Sequence, residues 1–98
     1  MATTPEELSI GYSEAGEEIV KELDKVILSR GAWTTILYRY QELERAKGTL
    51  SGDKYSIRRY QKRNGEYLPK SKFNISSKDQ AKAIVQALSG WIEEAESS

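Results

Sequence analysis

The stretch Lys54-Tyr55-Ser56-Ile57-Arg58-Arg59-Tyr60-Gln61-Lys62-Arg63-Asn64-Gly65-Glu66 decides the fold of this chain. Asn and Gly both tolerate the positive φ of a type I′ turn, so Asn64-Gly65 marks a two-residue hairpin joining a strand over 54–63 to one starting near Glu66. Side chains alternate along a strand, which puts Tyr55 and Ile57 on one face and Lys54, Ser56, Arg58, Tyr60 and Lys62 on the other. The apolar pair is expected inward and the basic set outward. Pro69 cannot donate to a ladder, so the returning strand is expected at a sheet edge or with a bulge before it resumes through Lys72-Phe73-Asn74-Ile75.

Upstream of this hairpin, Trp33 to Leu43 is rich in β-branched and aromatic residues and reads as a long strand. Its parity leaves the buried face open: Tyr38 and Tyr40 travel with Thr34 and Ile36, whereas Trp33, Leu37 and Arg39 take the other side. Arg30-Gly31 turns the chain, and Lys25 to Ser29 reads as a strand. The apolar spacing from Ile19 to Asp24 suits a helix better. Glycines and small polar residues make 47–53 a loop. Downstream, Ser77-Lys78-Asp79-Gln80 has the form of a capping box, followed by Ala81, Ile84, Val85, Leu88, Trp91, Ile92 and Ala95 at helical spacing.

The expected fold class is therefore α+β, a four-stranded antiparallel curved sheet followed by one C-terminal helix in the order β-β-β-β-α. Residues 1–16 read as a flexible acidic tail, and residues 17–98 as the one folded domain. The apolar helix stripe is wide for covering one sheet face, which predicts a homodimer that buries Ile84, Leu88, Trp91 and Ile92 between helices.

Composition narrows the chemistry. The sequence holds no cysteine and no histidine, which removes thiol chemistry and the commonest general base and metal ligand. No carboxylate or lysine constellation replaces them, so neither an enzyme nor a cofactor or metal site is expected. No run approaches the roughly 20 apolar residues of a membrane span, and the acidic start lacks the features of a signal peptide. The expected location is the cytoplasm, with no membrane partner.

The net charge is zero, but the charges are sorted by position. Residues 1–24 carry seven acids and one base, residues 25–78 thirteen bases and four acids, and residues 79–98 one base and four acids. A basic middle interleaved with tyrosines suits a polyanion that can also stack, which is a nucleic acid. The bland alternative is the solvated face of an antiparallel sheet, although such faces usually mix signs. The acidic start reads as a solubilising tail or as a competitor for the basic sheet.

The run over 54–60, the hairpin at Asn64-Gly65-Glu66, then Pro69, Lys70, Lys72 and the helix start Ile75-Ser76-Ser77-Lys78-Asp79-Gln80 resemble the PC4-type transcriptional coactivators and their bacterial relatives. The resemblance spans roughly 19–92. It implies four antiparallel strands and a helix, a homodimer through the helices, and single-stranded DNA bound along curved sheets. Gln61 stands where the eukaryotic coactivator has a stacking tryptophan. Similarity also puts Arg39 on the DNA side, with Tyr38 and Tyr40 in the core.

The expected function is sequence-independent binding of single-stranded DNA, in transcription regulation or DNA maintenance. Arg39, Lys54, Arg58, Lys62, Lys70 and Lys72 would meet phosphates, and Tyr60 would stack on a base. One alternative is RNA on the same surface. Another is a protein-interaction module that docks on the transcription machinery without nucleic acid.

Overall fold

A computed structural model describes residues 4–97 and shows an α+β chain, a curled antiparallel sheet followed by one C-terminal helix. After a short 3₁₀ turn at Pro5–Glu7 come β1 (Tyr12–Glu14), β2 (Glu17–Ser29), β3 (Trp33–Glu44), β4 (Thr49–Leu50), β5 (Lys54–Arg63), β6 (Glu66–Ile75) and α1 (Lys78–Ser97). The sheet runs β1-β2-β3-β5-β6, and the two-residue β4 pairs with the end of β3. The expected sheet of four strands thus gains two short ones.

The strand borders follow from local chemistry. Asn64 (φ 50°) and Gly65 (φ 79°) form the hairpin turn that their side chains favour. The β1–β2 hairpin turns through Ala15 (φ 52°) and Gly16 (φ 80°). Alanine carries no signal for a left-handed conformation, which hid this hairpin in the sequence. β6 is an edge strand and also bulged: Arg59 faces Ser71 and Tyr60 faces Pro69, leaving Lys70 as the extra residue. At the helix start, the Gln80 N–H donates to Ser77 Oγ at 3.1 Å, while Gln80 Oε1 accepts from the Ser76 N–H at 2.9 Å.

Three expectations need correction. The segment 19–24 is strand, not helix, because β2 runs unbroken from Glu17 to Ser29. Register shifts at Leu23 and Leu28 reset its alternation, so its apolar residues lose a strand's period of two. Within the expected loop over 47–53, only Thr49–Leu50 departs, pairing with the end of β3 as β4. The described residues of the expected tail, 4–16, lie on the sheet: Leu8 and Ile10 are buried, and β1 pairs with β2. Residues 1–3 of that tail fall outside the described residues.

The sheet presents two faces of different character. Cross-strand register puts Thr34, Ile36, Tyr38 and Tyr40 of β3 beside Tyr60, Arg58, Ser56 and Lys54 of β5, on what is here termed the tyrosine face. Leu8 and Ile10 lie against Ile36, Tyr38, Tyr40 and Tyr60 to form the core, with Val20, Ile27 and Tyr67 at its margin. The opposite, helix face carries Val26, Leu37, Tyr55, Ile57 and Phe73. The expected inward pair, Tyr55 and Ile57, is only half-buried, whereas Ser56 and Tyr60 on the expected solvent side are buried. Parity was read correctly, but the deeper core is on the other face because residues 4–10 cover it.

Helix α1 buries none of its residues. It leaves an open apolar cleft of about 630 Å³ against the helix face, lined by Leu37, Tyr55, Ile57, Ile84, Val85 and Leu88 among others. Beyond this cleft, Trp91 is 69% exposed. No helix of the described residues is long and apolar enough to cross a membrane.

Candidate nucleic-acid interface

The central ladder brings most of the expected cations together and disperses the rest. Arg58 on β5 lies directly opposite Lys72 on β6, both on the tyrosine face. Lys54 and Lys62 share that face on β5, and Lys70 occupies the bulge at the edge. Among the described residues, no ion pair joins Arg58, Lys62, Lys70 or Lys72 to an acid. The Lys54 ammonium is 3.5 Å from Glu42. Ser56 supports the centre of this patch: its Oγ donates to Asn74 Oδ1 at 2.7 Å and accepts from Arg58 Nε at 3.2 Å.

Like charges directly across a ladder destabilise a sheet. The Arg58–Lys72 pair therefore works against folding unless a polyanion neutralises it. Lys62 adds a different contact, its ammonium 5.7 Å from the centre of the Tyr67 ring.

Two expected site residues lie elsewhere. Arg39 pairs across the ladder with Tyr55, so it belongs to the helix face, where its guanidinium is 3.5 Å from Asp53. Strand alternation alone prevents Arg39 and Arg58 from sharing a surface, because the register matches Arg58 with Ile36. Tyr60 is 5% exposed and offers no ring to a ligand. Its hydroxyl lies 3.0 Å from that of Tyr38, under Leu8 and Ile10. Burial, reinforced by this hydrogen bond, pushes the Tyr38 hydroxyl well above the ordinary tyrosine range.

Residues 4–10 are anchored away from the β5–β6 cations. Lys25 Nζ donates to the carbonyl oxygens of Glu6 (2.6 Å) and Leu8 (2.5 Å), and Glu6 pairs with Arg30. The Arg30 guanidinium also lowers the Glu6 pKa. Glu22 accepts from Ser9 Oγ at 2.8 Å and from the Ile10 N–H at 3.2 Å. All these anchors lie at β2 and the turn after it; Lys62, Lys70 and Lys72 are exposed, and Arg58 is half-buried.

Sequence reasoning missed one surface feature, the contact of Arg59 with Trp33. The Arg59 guanidinium sits 4.6 Å from the centre of the Trp33 ring, on the helix face. Their separation in sequence concealed this pair, and only the β3–β5 register reveals it. Among the described residues, no group of three or more acids is arranged to hold a metal ion.

Compared with known proteins, the chain matches no protein-family model, no curated protein and no solved structure.

Proposed function

We propose that this chain is a non-enzymatic, single-stranded-DNA-binding protein of the PC4-type kind, acting as a homodimer in transcription regulation or DNA maintenance. The observation that carries this reading is the Arg58–Lys72 pair, two cations facing one another across a ladder beside Lys62 and Lys70, none of them ion-paired to an acid among the described residues. A phosphate backbone supplies the missing negative charge, and such contacts read no base edges, so binding is largely independent of sequence. Lys54 flanks the same track. The single strand is favoured over the duplex because the only long helix among the described residues carries Asp79, Glu93, Glu94 and Glu96 against Lys78 and Lys82, a net acidic charge wrong for a major groove.

The second copy is argued from the cleft beside α1. This cleft lacks an amphipathic occupant, and the chain itself carries one in the exposed stripe of Val85, Leu88, Trp91 and Ile92. Two copies related by a two-fold axis would cover each other's stripe, as a self-complementary interface requires.

A fluorescence-anisotropy titration tests the nucleic-acid reading, using a mixed-sequence DNA oligonucleotide as a single strand, as its matched duplex and as the RNA counterpart. The expected order is single-stranded DNA tighter than duplex at equal salt, with affinity falling steeply as salt rises. Tighter duplex binding would reject the single-strand reading, and tighter RNA binding would transfer the site to RNA. No binding by any of them would leave the protein-interaction module as the reading.

A further inference from the structure

We infer that Trp33, held against Arg59, is a stacking platform for an unpaired nucleobase. This deepens the single-strand reading and rests on it. Trp33 opens β3 and is 44% exposed, an unusual position for the largest side chain in the alphabet when a core lies on the other side of the same strand. It does not belong to the apolar cleft. A polar row of Thr35, Arg59 and Ser71 crosses the helix face between Trp33 and the Leu37-Ile57-Phe73 row that adjoins α1.

The platform is rigidly mounted. The Lys62 N–H donates to the Ala32 carbonyl at 2.7 Å, and Thr34 Oγ1 donates to the Gly31 carbonyl at 3.2 Å, so the start of β3 is fixed to β5 and to its own turn. Gln61 is the direct cross-strand partner of Trp33 and shares its face of the sheet. A base stacked on the exposed indole extends the guanidinium–indole stack.

Phosphates and base are served by opposite faces, and the edge strand β6 connects them. Arg58 and Lys72 lie on the tyrosine face, Arg59 and Trp33 on the helix face, and Lys70 bulges between the two registers. A strand of DNA that crosses the β6 edge can meet both.

Trp33→Ala and Trp33→Phe test the inference, with an oligothymidylate single strand as probe and Arg58→Ala as the reference for phosphate loss. Trp33→Ala is expected to weaken binding roughly 5- to 100-fold with an unchanged salt slope, whereas Trp33→Phe keeps most of the affinity. Binding should quench tryptophan fluorescence in the wild type but not in Trp33→Phe, where Trp91 is the remaining indole. Wild-type affinity in Trp33→Ala, or undiminished quenching in Trp33→Phe, overturns the platform while leaving single-strand binding intact. Failure of the wild-type protein to bind any oligonucleotide overturns both.

Discussion

At the residue scale, Tyr60 shows how one side chain can satisfy a sequence pattern and serve a different purpose. Its alternation with Arg58 and Lys62 suggested a solvent-facing ring, but its neighbours are Tyr38, Leu8 and Ile10. Tyr60→Ala is therefore a stability variant: truncating a buried aromatic costs about 3–5 kcal/mol, a large share of what a domain of this size has. Tyr60→Phe removes only the hydroxyl contact and should cost about 1 kcal/mol. Urea unfolding distinguishes the two, and wild-type stability in Tyr60→Ala would contradict the burial. Burial of the Tyr38 hydroxyl, reinforced by this contact, also makes stability sensitive to alkali. The Tyr38 pKa is raised in the folded chain, so the unfolded chain loses its proton first as pH climbs past the ordinary value of about 10. The burial contribution of Tyr38 is complete below that pH and declines above it. Tyr38→Phe should flatten the fall of Tm between neutral pH and pH 11, measured beside the wild type to cancel the lysine titration.

At the scale of elements, the β5–β6 hairpin carries the conflict between stability and binding. Lys72→Glu converts a like-charge pair into an opposite-charge pair across the ladder and should stabilise the sheet by roughly 0.2–1 kcal/mol. The same substitution deletes a phosphate partner and adds repulsion, so affinity for single-stranded DNA should fall and the salt slope shrink by at least about 0.7. Parallel thermal melts and titrations check this, and loss of stability together with unchanged affinity would assign the cations to the fold. This hairpin was also the most legible part of the sequence. Asn64-Gly65, Pro69 and Ser77-x-x-Gln80 act through their own backbone chemistry, so they fix a turn, an edge with a bulge and a helix start without tertiary information. β2 was not legible, because its bulges at Leu23 and Leu28 break the period by which strands are recognised. Nor was the cover over the tyrosines, since Pro5, Leu8 and Ile10 are sparse apolar residues in a polar segment. The candidate site inherited both failures: Lys54, Arg58, Lys62 and Lys72 share a face by simple alternation within strands, but which face was covered depended on residues 4–10.

At the scale of the whole molecule, the single chain is too extended for its length. Its radius of gyration is 15.9 Å, against about 13 Å for a compact domain of this size, and the principal extents are 55 × 40 × 17 Å. α1 is a 20-residue helix with no buried residue, and it exposes Val85, Leu88, Trp91 and Ile92. In the proposed homodimer a second copy would supply the apolar surface that the sheet of this helix's own chain does not. Light scattering at micromolar concentration should give twice the 11.1 kDa chain mass. Trp91→Lys would place a charge in the proposed seam and should return the mass to that of one chain. Because Trp91 is already exposed in the single chain, this variant should keep the sheet signature in circular dichroism, which separates loss of association from loss of folding. Two basic patches per dimer also predict a length effect. The monomeric variant should match the wild type on an oligonucleotide that spans one patch and lose affinity on one long enough to reach both, since only the longer strand gains from effective concentration. A wild type that stays monomeric at high micromolar concentration would refute the dimer while leaving the cation track of β5 and β6 as a site that each chain carries alone.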